Sequence, residues 1–161
     1  MRRQRQNINR RISMLKLRYS LLLGLAALVS GAALAANDTT LYQRLGGKPA
    51  ITAVVDEFVA RVAADTRINA FFALTASDPK RLAAFKGKLV DQICEASGGP
   101  CKYTGKDMKS AHAGMGIHEA DFNALVEDLG GALDKFKVAT ADKNTLLGVL
   151  GPMKVDIVTS H

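Results

Sequence analysis

The sequence contains no tryptophan, four prolines, three histidines and two cysteines. Two cysteines are too few for a multi-bridge secreted scaffold or a cysteine-rich zinc centre. Catalytic templates are missing too: there is no G-x-S-x-G, no phosphate loop and no H-E-x-x-H. No stretch alternates apolar and polar residues at period two for long enough to read as a strand. Charge of one sign is also missing where it would matter. The 22 Lys+Arg exceed the 15 Asp+Glu by 7, but residues 1–35 carry seven of the basic residues and no acid. Residues 36–161 are therefore neutral, which excludes a basic domain built to grip nucleic acid. What is present is apolar: 48% of the 161 residues are hydrophobic, too many for a disordered chain and enough for one domain.

The first segment reads as an address. Arg2, Arg3, Arg5, Arg10, Arg11, Lys16 and Arg18 form a positive region, the stretch Tyr19–Ala35 holds an apolar one, and Ala33-Leu34-Ala35 is a small-residue cleavage site. The apolar run of roughly 16 residues is short for a ~30 Å hydrocarbon core. Residues 1–35 are thus expected to be a secretory signal peptide cut before Ala36, with no stable membrane anchor left. The expected destination of 36–161 is a bacterial periplasm. A start at Met14 leaves the same type of signal, and Arg10-Arg11 resembles a twin-arginine signal only loosely.

The remainder has helical spacing throughout, so the expected fold class is all-α. In Pro49–Asp65 a stripe runs Ile51, Val54, Val55, Phe58, Val59, Val62. Asp78-Pro79 is an N-cap followed by a first-turn proline, opening a helix with Leu82, Phe85, Leu89, Val90 and Ile93 that Gly98-Gly99-Pro100 stops. Glu119–Phe136 carries Phe122, Leu125, Val126, Leu129, Leu133 and Phe136. The last segment, about Asp142–Val158, carries Leu146, Leu147, Val149, Leu150, Met153 and Ile157, with a kink expected at Pro152.

One segment breaks the scheme. Some twenty residues between Gly99 and Ala120 show only a short helical turn around Asp107–Ala113, and long loops in compact domains are usually functional or disordered. Met108, Ala111, His112, Met115 and Ile117 are too apolar for disorder and suggest a wall around something. His118 and His161 are expected to be solvated. His112 has two readings: a core histidine bonded to a carbonyl, or a metal or haem ligand. No second ligand stands at zinc spacing from it, so the ligand reading favours haem over zinc. Cys94 and Cys101, seven apart around a turn, favour a disulfide in an exported chain, with two free thiols as the alternative. The lack of C-x-x-C-H excludes c-type haem attachment. Asp56-Glu57 and Glu127-Asp128 are expected on solvent faces.

At this point a resemblance enters. Leu41-Tyr42-Gln43-Arg44-Leu45-Gly46-Gly47, Phe71-Phe72, Gly98-Gly99-Pro100 with Tyr103-Thr104-Gly105, and Met108-Lys109-Ser110-Ala111-His112 resemble the group I truncated haemoglobins. The likeness runs in order through Leu41–Val158, apart from a few extra residues at Ala73–Ala84. It implies a truncated globin, a two-on-two helical sandwich around non-covalent haem b, that reversibly binds a diatomic gas such as oxygen, carbon monoxide or nitric oxide. By the same resemblance His112 is the proximal iron ligand, Phe72 packs on the haem, and Lys88 pairs with a propionate at the pocket mouth. Met108, Ala111, Met115, Ile117, Phe122, Val126 and Val149 supply apolar lining.

The distal side departs from the pattern. Where many relatives carry a tyrosine and glutamines, this chain has Val59, Phe85 and Leu89, which offer no hydrogen-bond donor. Gln92, three residues past Leu89, is expected on a neighbouring face, with a reach to the pocket edge as the lesser alternative. The implied behaviour is fast oxygen release with carbon monoxide and nitric oxide affected less. The implied activity is gas binding for transport or scavenging, with nitric-oxide dioxygenase or weak peroxidase work as the alternative on the same haem.

Overall fold

Residues 39–159 are described here from a computed structural model. The signal-peptide reading and His161 fall outside them. Thr40 caps the first short helix, α1 (Leu41–Arg44), by accepting from the Gln43 N–H while the Gln43 side chain accepts from the Thr40 N–H. Gly46 follows at φ 90°, where an added Cβ would stand 2.8 Å from that of Ala50. That left-handed turn, open to glycine at little cost, launches α2 (Gly47–Ala64). The expected stripe is the face α2 buries: Ile51, Val54, Val55, Phe58 and Val62, with Val59 half-buried beside them.

A 3-10 turn (Asn69–Phe72) leads into α3 (Ala73–Ala76), which begins the segment read above as carrying extra residues. The Asp78 carboxylate then accepts from the Lys80 and Arg81 N–H groups, at 2.8 and 3.1 Å, and Pro79 opens α4 (Pro79–Ala96). After a long loop come α5 (Met108–His112) and α6 (Glu119–Lys135). Pro152 has the expected effect: α7 (Thr140–Leu150) gives way to a 3-10 turn at Gly151–Met153 and then to α8 (Lys154–Ile157). The described residues contain no strand. α2 packs against both α4 and α6, α7 closes on α6 and α4, and α5 rests on α8. No helix among the described residues is long and apolar enough to cross a membrane.

Two expectations need correction. Phe136 is not part of the buried stripe but 44% exposed, because α6 ends at Lys135 and the chain turns through Lys137 at φ 56°. Asp128 does not lie on a solvent face. Asp56 and Glu127 are exposed as expected, paired with Lys86 and Arg67, whereas Glu57 is half-buried and held by Arg61 and Lys135. Asp128 itself turns inward, with Oδ2 buried and lacking a hydrogen-bond partner.

Burial and the nearby Asp65 carboxylate push the Asp128 pKa up, and Arg67 and Arg61 offset this only in part. The folded chain therefore holds that proton to higher pH than the unfolded chain, so ionisation of Asp128 lowers stability as pH rises above the ordinary aspartate range. Asp128→Asn is expected to raise the melting temperature at pH 7. The gain should vanish towards pH ~3, where both states carry the proton; thermal denaturation across pH checks it.

Candidate haem pocket

α5 has five residues, too few to be stable alone. Three devices hold it. Asp107 caps it, its carboxylate accepting from the Ser110 N–H at 2.8 Å, and this bond keeps the Asp107 pKa low. On the N-terminal side, Cys94 and Cys101 form a disulfide with Cα atoms 5.7 Å apart. Around it, Glu95 accepts from the Tyr103 N–H (2.9 Å) and Lys102 Nζ (3.1 Å), and the Tyr103 hydroxyl donates to the Lys106 carbonyl. Gly99 is required here, since a Cβ would stand 2.7 Å from Cys94 Sγ and 2.5 Å from the Tyr42 ring. On the C-terminal side, Gly114 (φ 75°) and Gly116 (φ 66°) turn the chain towards Ile117, which exchanges hydrogen bonds with Thr159.

α5 faces a cavity of about 540 Å³, within the range of small-molecule and cofactor sites. His112 is half-buried in its wall, and its Nδ1 lies 2.7 Å from the Met108 carbonyl oxygen. A carbonyl only accepts, so Nδ1 carries a proton, and in the neutral ring the lone pair is on Nε2. The carbonyl bond of the first reading is present, and it leaves the other nitrogen as the one a ligand role would use, so the two readings are compatible.

The structure brings together Val59, Phe72, Phe85, Lys88, Leu89, Met108, Ala111, His112, Met115, Ile117, Phe122 and Val126 around this cavity. Phe72 and Phe85 pack with ring centroids 5.7 Å apart, and Lys88 Nζ donates to Thr104 Oγ1 at 2.6 Å. Val149 is the exception. It is 42% exposed and off the wall, because it lies roughly a third of a turn from the mid-line of Leu146, Leu147 and Leu150. Leu147, Leu150 and Met153 line the cavity instead, as do Phe58, Val62 and Phe71. All belong to helical stripes or a quoted motif; spacing marked them as apolar but did not separate cavity wall from core. Gln92 does reach the cavity, but its Nε2 is turned to the sulfurs of Met153 (3.3 Å) and Met108 (3.6 Å). Tyr103, at the rim, has its pKa raised by burial and by Asp107.

Helices packed around an apolar cavity, with a hydrogen-bonded histidine on a five-residue helix in its wall, are the arrangement of a shortened globin. The model of the bacterial-like globin family matches residues 40–159. The group 1 truncated hemoglobin of Mycolicibacterium paratuberculosis is 36% identical over 126 residues, covering 78% of this chain and 89% of that protein. That of Nostoc sp. is 35% identical over 118 residues, covering 72% and 94%. The crystal structure of truncated hemoglobin from Tetrahymena pyriformis in its Fe(III) form matches with a TM-score of 0.68 at 31% identity, covering 74% of this chain and 98% of that one. The chain belongs to the bacterial-like globin family.

The disulfide closes a loop of about eight residues, for which the chain-entropy model gives roughly 2.5 kcal/mol. The double variant C94S/C101S is expected to lose about that much in urea denaturation, and wild type treated with reductant should fall to the same midpoint.

Proposed function

We propose that this globin holds haem b non-covalently and binds a diatomic gas reversibly at the iron, with His112 as the proximal ligand. The observation that carries the reading is the His112–Met108 hydrogen bond at 2.7 Å in the wall of the apolar cavity. The donor set fits the group: an imidazole whose neutral form presents Nε2, apolar walls that include Phe72, Phe85 and Leu89, and Lys88 as a cation for a carboxylate. Haem, when bound, would supply an iron at which the gas coordinates. Phe122, Val126, Met115 and Ile117 form an apolar wall near His112 that would keep water and protons from the iron and so slow its oxidation.

Val59, Phe85 and Leu89 present no N–H or O–H towards a ligand, and the N–H groups of Gln92 are directed at thioethers. This favours binding and release over the alternative of nitric-oxide dioxygenase or peroxidase work, which calls for a donor or general acid beside the iron. The same reading places the mature chain, 36–161, in an exported compartment. The basic, apolar and small-residue regions of 1–35 support this, as does a disulfide suited to oxidising surroundings.

The test is an absorption spectrum of the chain with haem added, reduced, then exposed to carbon monoxide. A sharp shift of the main haem band is expected, with haem uptake weakened at least 10-fold in His112→Ala. An unshifted band in the haem-loaded wild type would mean a closed iron, and no haem uptake would end the reading. A second prediction follows from the apolar distal wall. Leu89→Gln adds a donor worth ~1–3 kcal/mol, so oxygen release by stopped flow should slow by roughly 5–150-fold, with carbon monoxide release changing far less.

A further inference from the structure

Gln92 sits on α4, yet its side chain ends between two sulfurs from other elements: Met108 on α5 and Met153 in the 3-10 turn after α7. The amide orientation follows from chemistry. Thioethers only accept, so the NH₂ end, with two donors, suits two sulfurs, whereas the carbonyl end would set acceptor against acceptor. Met108 is engaged a second time through its carbonyl oxygen, which accepts from His112 Nδ1. A continuous path therefore runs from α4 through Met108 to the imidazole.

Resting on the haem reading above, we infer that Gln92 is a positioning residue for His112. It reaches across the cavity to fix Met108, and Met108 fixes the rotation of the imidazole. The need for such an anchor is local. α5 is a five-residue helix with little cooperativity of its own, and Met is a flexible side chain with three rotatable bonds that apolar packing alone holds loosely. Two N–H···S contacts from one carboxamide select one arrangement of both methionines. The same geometry takes Gln92 out of contention as a donor to the gas, because its N–H groups serve the side of the cavity that carries His112.

The variants are Gln92→Met, which keeps length and loses the donor; Gln92→Leu, in case the first repacks; and Met108→Leu, which loses the sulfur and keeps the carbonyl. Two measurements are made on the full chain. With haem bound, Q92M is expected to shift and broaden the iron–imidazole stretching band in the resonance Raman spectrum of the reduced form. Haem transfer to excess competing apoglobin should be about five-fold faster, less than the ~10–100-fold typical of losing a direct second-sphere partner. M108L should do the same, and the double variant Q92M/M108L no more than either alone. Without haem, the ¹⁵N signal of the protonated His112 Nδ1 should be sharp in wild type and broadened by exchange in Q92M.

An unchanged Raman band and an unchanged Nδ1 signal in both Gln92 variants would overturn the inference, leaving the carboxamide as packing. Additive effects of Q92M and M108L would overturn it as well. Failure of the wild type to take up haem would instead remove the functional reading. The Nδ1 signal would then decide on its own whether Gln92 positions the imidazole.

Discussion

The structure depends on a helix too short to hold itself. An imidazole must stand at a fixed angle over an apolar space of about 540 Å³, and it is carried by five residues of α5. A longer helix would draw rigidity from its own hydrogen-bond ladder. Here rigidity comes from both flanks. A covalent bridge and the Glu95–Tyr103 contacts steady the approach. Paired glycines and the Ile117–Thr159 exchange steady the exit. The cap at Asp107 and the bond from His112 to Met108 then act within a frame that is already fixed. Without that frame, the imidazole would keep its chemistry and lose its aim.

That frame explains which sequence signals could be read and which could not. The α2 stripe was legible because a helix packed on two others buries a wide face, and Ile51, Val54, Val55, Phe58 and Val62 all meet core. The stripe on α4 was legible too, but its meaning was divided. Val90, Ile93 and Cys94 are buried, whereas Phe85 and Leu89 are half-buried because they face the cavity. Periodicity records which side of a helix is apolar and says nothing of what fills the space opposite. Val149 shows the same limit from the other direction: an apolar side chain away from the mid-line of the α7 stripe faces water.

The polar residues were harder. The role of His112 could be narrowed from its setting, since an isolated histidine among apolar residues has few uses. Asp128 looked like half of a solvated pair. Its inward turn depends on how α6 meets α2 and the segment around Asp65, a tertiary fact with no local signature. Its position past Leu89 put Gln92 on a neighbouring face, and the structure brings it to the cavity. Its partners could not be foreseen, because Met108 lies 16 residues away and Met153 lies 61 away. Side chains that bridge elements are specified by the fold, and only their positions along a helix by the sequence.

The cavity also divides the apolar interior. One large cluster joins α1, α2, α4, α6 and α7, while Ile117, Phe122 and Ile157 form a small one near α5 and α8; Phe71 packs against both. α6 carries members of both, Phe122 in the small cluster and Ala124, Leu129, Ala132 and Leu133 in the large one. With three buried residues the small cluster has little apolar area to lose, so the wall beside His112 is where packing is thinnest and where local opening costs least.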